Sequence, residues 1–260
     1  MRTIPRYIFV LLILALLAFI APLLAPYDPY QTVDTPYQTI SLKHLAGTDG
    51  LGRDIMSQIL VGSRTTLLVA VSSSLLSIVI GLLMGLIAAT RNIIARFISS
   101  LIDSFIAIPP LVIMIFIASV LGPYLYSEII SIAVAYWSQV AKTFRAEVLS
   151  LLERGYIEAS IALGGRITWI FRKHVIPNMS HLILANYTYL IGTSIVSEAV
   201  ISFLGLSDQR YFSWGIVFYY AFIQGAVYYG LWQWILIPAL VITAVVYTVF
   251  KVSEEILTRQ

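Results

Sequence analysis

Long apolar runs, separated by short polar connections, are what this sequence imposes on any fold. Runs over residues 7–25, 67–90, 97–121, 181–204 and 231–250 each approach the roughly 20 residues that a helix needs to cross a hydrocarbon core. A sixth, 128–144, is weaker. Its apolar part, 129–136, is short, and Ser138, Gln139 and Lys142 interrupt the remainder. In lipid a spanning segment must satisfy its own backbone hydrogen bonds, so these runs read as helices. With 59% hydrophobic and only 11% charged residues, the chain lacks the charge of a soluble surface, about 25%. The expected class is an all-α integral membrane protein with six transmembrane helices.

The basic residues set the threading. If 128–144 crosses, Arg2, Arg6, Arg91, Arg96, Lys142, Arg145, Arg154, Arg166, Arg172, Lys173, Lys251 and Arg259 share one side. Lys43, Arg53, Arg64 and Arg210 fall on the other. Positive residues are retained in the cytoplasm, which places the richer side and both termini there. The net charge of +3 arises from basic residues flanking apolar spans and does not call for nucleic acid. The first run exceeds the 7–15 residues of a signal-peptide core, and Pro22 and Pro26 stand where a small-residue cleavage site would be. It reads as a retained helix. With no cysteine, disulfides and thiolate sites are excluded, while the compartment stays open.

The organisation expected is an N-terminal transmembrane helix (1–26), an extracytoplasmic loop (27–66) and a core of five further helices (67–260). The second span carries Ser72, Ser73, Ser74, Ser77, Gly81 and Gly85, small residues that suit close helix packing. The third has Asp103 near its start, within reach of Arg96 or headgroup water, and is kinked by Pro109 and Pro110. Glu198, near the outer end of the fifth, has two open roles. It lines a pathway or closes on a partner subunit, or else it snorkels or ties two helices together. The aromatic segment 207–230, with Trp214, Tyr219, Tyr220, Tyr228 and Tyr229, reads as an outer-face or re-entrant helix. A last span containing Pro238 ends at Lys251, beyond which lies a polar tail.

Between the fourth and fifth spans lies a polar, basic island. Glu158-Ala159-Ser160 is followed by Gly164 and, thirteen residues on, Pro177. Helix formers run up to Leu163, glycines 164 and 165 break the helix, and a second helical run is expected to stop before Pro177. The loop between the first two spans holds His44 and then Gly47-Thr48-Asp49-Gly50-Leu51-Gly52-Arg53-Asp54, with Gly62-Ser63-Arg64 beyond it. The aspartates and histidine make a metal site conceivable, without helical ligand spacing to support it. No Gly-Lys-Ser/Thr comes after it, so this is not a nucleotide-binding loop.

These motifs carry a resemblance. The segment with Glu158, Ala159, Ser160, Gly164 and Pro177 resembles the EAA loop of ABC importer permeases. The run from Trp137 to Gly164 is similar to the dipeptide/oligopeptide/nickel branch. Gly47, Thr48, Asp49, Gly52, Arg53, Asp54 and Arg64 resemble the C-type subunit of that branch, with Gln58 where an arginine is common. Glu198-Ala199 through Leu206 is similar to a further family run, and Ser160 and His174 depart from the usual residues. The resemblance implies a type I importer fold with a cytoplasmic coupling loop, 145–178, that docks onto an ATPase. It also implies a heterodimer with a B-type permease, two ATPase subunits binding ATP and Mg, a solute-binding protein, and no cofactor in this chain. It puts the chain in the cell membrane as a transport subunit, not an enzyme. A different class, a stand-alone proton- or ion-coupled carrier using Asp103 and Glu198, remains open beside it, although no internal repeat supports it.

Overall fold

A helix that buries its polar residues against its neighbours forms the axis of the molecule. The computed structural model describes residues 16, 19–90 and 92–258. The N-terminal span expected at 7–25, together with Arg2, Arg6, Arg91 and Arg259, lies wholly or largely outside the described residues. At the end of that span Ala21–Leu24 form a 3-10 turn.

The central helix α1, Ile55–Ala88, has 34 residues and so extends about 51 Å. It begins twelve residues before the span read from hydropathy, because Ser57, Gln58, Ser63 and Thr66 are buried within the helix rather than solvated in a loop. Asp54 starts it as N-cap, accepting from the Ser57 amide at 2.8 Å and from Ser57 Oγ at 2.7 Å. Next come α2, Ile93–Ile106, capped by Asn92, and α3, Pro110–Leu121. The third span expected with a kink is instead broken by 94° between these two. Pro109 occupies the N-cap of α3 and Pro110 its first turn, where a missing N–H costs nothing.

Helix α4, Leu125–Leu152, is one uninterrupted 28-residue rod and the most extensive neighbour of α1. A Cβ on Gly81 would come within 2.5 Å of the Val140 side chain, and one on Gly85 within 2.9 Å of Ala141 O. These glycines bring the two backbones together. Ser77 Oγ adds a bond to Ala133 O at 3.2 Å. After the basic island, which forms α5, Gly155–Ala162, α6, Ile167–Ile170, and α7, Ile176–Asn178, the chain enters α8, Ser180–Phe203. Helix α8 packs on α1, where Ser74 Oγ and Ser194 Oγ meet at 3.1 Å. The aromatic segment folds into α9, Trp214–Ile223, ten residues and thus too short to cross. Helix α10, Trp232–Thr258, runs through Pro238 and on into the polar tail. The tail is held by Ser253 Oγ donating to Ala185 O at 2.9 Å and by Val252 and Ile256 packed against Ala185.

Of the described helices, α1 and α10 are long and apolar enough to cross a membrane alone, and the bent pair α2–α3 would count as a third. The other two long helices, α4 and α8, are more polar, and Ser131, Thr188 and Ser197 satisfy their hydroxyls on carbonyls of their own helix. Arg145 Nε donates to Ala88 O at 3.2 Å, which ties the C-terminal ends of α4 and α1 together. With the α8 start and the α10 tail these define one end of the bundle. The loop 27–54 and the 207–230 segment close the other.

Candidate functional site

The basic island forms a compact knuckle. Helix α5 opens with Arg154 O accepting from the amides of Ile157, at 2.8 Å, and Glu158, at 3.1 Å. Exposed Glu158 sits in the first turn, where a carboxylate complements the helix dipole. The helix closes with Gly165 N donating to Ser160 O at 3.0 Å and Gly164 N to Ile161 O at 2.9 Å, while Gly164 takes φ +85°. This glycine-terminated end satisfies otherwise orphaned carbonyls. Space around Gly164 is open, whereas a Cβ on Gly165 would lie 2.7 Å from Ser160 O. The motif puts the weight on Gly164; Gly165 is the sterically closed position.

Pro177 does not end the second helix as expected. A π-helical turn, Phe171–Val175, connects α6 to α7, with Ile176 N bonding back five residues to Phe171 O. The wider turn tolerates the proline ring, and the Asn178 side-chain amide adds a donor at His174 O. The chain then continues through Met179 into α8, with Ile183 N donating to Met179 O at 2.8 Å.

Two faces of the knuckle differ in character. Ile157, Ile170, Val175 and Met179 are fully buried and join Phe144, Val148 and Leu151 of α4 and Leu190 of α8. Outside, Tyr156, Ile161, Leu163, Ile167 and Trp169 are exposed, Leu163 to 89%, among exposed Arg154, Arg166, Arg172 and Lys173. Lys173 Nζ lies 5.3 Å from the Trp169 ring centroid, and His174 packs edge-on to Trp169 at 5.2 Å. Large apolar side chains in water beside cations form a surface suited to a protein partner.

At the opposite end the glycine-rich loop is a cap of polar contacts. Gly47 and Gly52 have φ +79° and +72°, and a Cβ on either would come within 2.2 Å of Gln38 O or 2.1 Å of Asp34 O. Buried Asp49 accepts from Leu51 N, Arg53 N, Arg53 Nε and Gln58 Nε2 at 2.6–2.9 Å. Gln58 thereby supplies a donor where the resembled family has arginine. Asp54 Oδ1 lies 2.8 Å from His44 Nδ1, and Thr48 Oγ1 donates to Thr35 O at 2.7 Å. These carboxylates are saturated by protein donors, which leaves them little to offer a metal ion. The Arg53 guanidinium stands over Phe212 at 5.3 Å and Tyr220 at 5.1 Å. Gly50 N donates to Gln224 Oε1 at 2.7 Å, and Tyr37 stacks on Tyr229. Loop 27–54 and segment 207–230 therefore form one unit. Exposed Arg64 of the same motif stands apart from these contacts.

The two candidate pathway carboxylates lie in unlike settings. Glu198 is fully buried, accepting from Ser202 Oγ at 2.7 Å and Thr66 Oγ1 at 3.1 Å, while Thr66 Oγ1 accepts from Trp214 N at 3.0 Å. It joins α8, α1 and α9. Asp103 is 59% exposed and pairs with Lys142 Nζ at 3.2 Å, not with Arg96. Glu128, not among the residues singled out from sequence, is buried at the start of α4 and accepts from Asp208 N at 3.0 Å. Its position in the first turn of a helix, just after a Tyr-rich bend, was the available signal. Asp208 is in turn gripped by Arg210 through bonds of 2.8 and 2.7 Å.

Comparison with known proteins decides the family. Residues 77–260 match the binding-protein-dependent transport system inner membrane component, and residues 8–44 match the N-terminal TM domain of oligopeptide transport permease C. The chain belongs to the binding-protein-dependent permease family. A putative peptide transport system permease protein of Brucella suis is 32% identical over 236 residues, 90% of this chain and 78% of that one. The dipeptide transport system permease protein DppC of Bacillus subtilis is 30% identical over 213 residues, covering 81% and 67%. The oligopeptide transport system permease protein OppC of the same organism is 32% identical over 210 residues, covering 79% and 68%. In fold the permease is similar to a chain of the MetNI methionine ABC transporter in inward-facing conformation, with TM-score 0.61 at 20% identity over 78% of this chain and 97% of that one. A chain of an amino acid ABC transporter matches with TM-score 0.60, also at 20% identity, over 79% and 94%. The permease is thus a C-type membrane subunit of an ABC importer, all-helical and not itself the catalytic chain. These findings do not favour the stand-alone carrier.

Proposed function

We propose that this permease moves short peptides through a membrane path shared with a B-type partner, driven by two ATPase subunits and fed by a solute-binding protein. The carrying observation is the knuckle formed by α5 and α6: apolar pegs inside, an exposed apolar and basic face outside, and rigid helices leading in and out. An ATPase seated on Leu163, Trp169 and the neighbouring cations would push both α4 and α8 through Ile157, Ile170, Val175 and Met179. ATP and Mg belong to those partner chains. The names of the Brucella and Bacillus relatives support peptides as cargo. In this reading the six spans are the N-terminal segment, α1, the bent α2–α3 pair, α4, α8 and α10. Both termini and the knuckle are cytoplasmic, and the polar cap faces the binding protein. The distribution of basic residues supports that orientation, since Arg96, Lys142, Arg145, Arg154, Arg166, Arg172, Lys173 and Lys251 lie at the knuckle end.

The test is reconstitution of the full importer in vesicles. ATP-dependent uptake of a radiolabelled dipeptide that needs the binding protein is expected, and it should be insensitive to an imposed proton gradient. Asp103→Asn should leave both properties unchanged, since it removes only an exposed ion pair, worth about 0–1 kcal/mol. Uptake driven by a proton gradient in the absence of ATP, and lost in Asp103→Asn, would instead establish the carrier.

A further inference from the structure

The knuckle end of the bundle contains a cavity of about 590 Å³ beside the face assigned to coupling. Three elements build it: the end of α4, the α7–α8 junction and the last turns of α10. Glu147 and Leu151, at i and i+4 on α4, share a face, and Arg154 joins them from the extended residue that caps α5. His181 and Leu182 contribute from the first turn of α8, and Ile256 and Leu257 from α10. The lining is divided between an apolar floor and ionisable groups. The side chains of Glu147, Arg154 and His181 have no hydrogen-bond or ion-pair partner among the described residues. Arg154 is exposed and the other two are half-buried, so the cavity is reached from water.

The chemistry of that lining selects a ligand class. An anion alone would meet Glu147, and a cation alone would meet Arg154. A wholly apolar molecule would desolvate three ionisable groups without pairing them, which is costly. A small zwitterion with an apolar side chain satisfies all of them. Its carboxylate pairs with Arg154 and His181, its ammonium with Glu147, and its side chain covers Leu151, Leu182 and Ile256. The volume lies within the roughly 300–1,000 Å³ of small-molecule sites. We propose that this cavity binds a free apolar amino acid or a short apolar peptide at its unmodified ends. The site lies on the side where product emerges, a placement that rests on the orientation proposed above. Arg154 also accepts the first two bonds of α5, and His181 lies just beyond α7. A bound ligand would therefore brace the incoming and outgoing stems of the knuckle against each other.

The experiment uses the assembled importer in phosphatidylglycerol nanodiscs, with a diazirine-bearing leucyl-leucine as photoprobe and mass spectrometry of the adducts. Labelling is expected within residues 147–154 and 252–258. Unlabelled leucyl-leucine should compete at least tenfold better than its C-terminal amide or its N-acetyl derivative. Arg154→Gln and Glu147→Gln should each reduce labelling at least fivefold, while the end-group comparison on the unaltered chain needs no variant to fold. Absence of adducts in these segments overturns the site. So does competition indifferent to the end groups, or displacement by phosphatidylethanolamine in the discs as effective as by the dipeptide, which marks a lipid site. ATP-driven uptake is measured on the same preparation. Intact uptake without adducts removes the site alone; adducts without uptake leave the site standing and remove the proposed transport function.

Discussion

The two ends of this permease are built by opposite means. At the cap, loop 27–54 is fixed to segment 207–230 and to α1 by directional contacts: four donors on Asp49, the His44–Asp54 pair, Gln224 on Gly50, and Arg53 over two aromatic rings. At the knuckle, attachment is by four apolar pegs, and among the described residues no ion pair ties α5 or α6 to the bundle. Hydrogen bonds lose strength steeply with misalignment, whereas apolar contact is non-directional. The cap is thereby suited to hold one geometry and the knuckle to pass on a push while its seat adjusts.

Glycine replacements break this comparison most sharply. Gly47→Val combines a positive φ with a Cβ 2.2 Å from Gln38 O, and should cost about 4 kcal/mol or more, placing it among the exceptional single substitutions. Loss of folded protein in a thermal assay in detergent is the expected readout. Gly164→Val meets no neighbour and carries only the left-handed penalty, about 1–2 kcal/mol. It should leave a folded permease whose ATPase activity no longer tracks uptake. Equal thermal loss in both variants, or coupled uptake in Gly164→Val, would contradict the distinction.

Between these extremes, Ile170→Ala removes a fully buried peg and should cost about 2–5 kcal/mol locally. Faster proteolysis at the knuckle, with the cap unaffected, is the expected pattern. The smallest effect concerns pH. Lys43 and Arg210 hold the carboxyls of Asp34 and Asp208 below their ordinary value of 3.8. Stabilisation from these two pairs is complete above that value and is lost as pH falls through the lower folded values. A nitroxide at Ile40 should therefore gain mobility only as pH falls well below about 4, the usual carboxylate range, whereas one at Leu163 should not. Equal gains at both positions would remove the contrast.

Legibility from sequence divides along the same line. The break at Gly164 could be read because glycine at a helix end has one dominant backbone meaning. A short, non-spanning helix within 207–230 could be read from its aromatic density. The early start of α1 could not, since Ser57, Gln58, Ser63 and Thr66 look solvated until Asp54, Asp49 and Trp214 are known to lie beside them. Glu198 was ambiguous for a related reason: its partners Thr66 and Ser202 are ordinary residues, one of them 132 positions away. The right-angle break before Pro110 exceeded the expected kink because Pro109 and Pro110 together remove two successive amides from any continuing helix.

The π-helical turn at Phe171–Val175 accommodates one residue more than an α-helix would over the same rise. Such an insertion sets the phase between everything before it and α8 after it. Excising a single residue there would let regular winding resume, swinging the preceding segment by about 100° and drawing it in by about 1.5 Å. Ile170 would then leave its socket while Tyr156, Ile161, Leu163 and Trp169 on the exposed face remained chemically unchanged. The angular bearing of that face is written into a surplus residue rather than into the face itself.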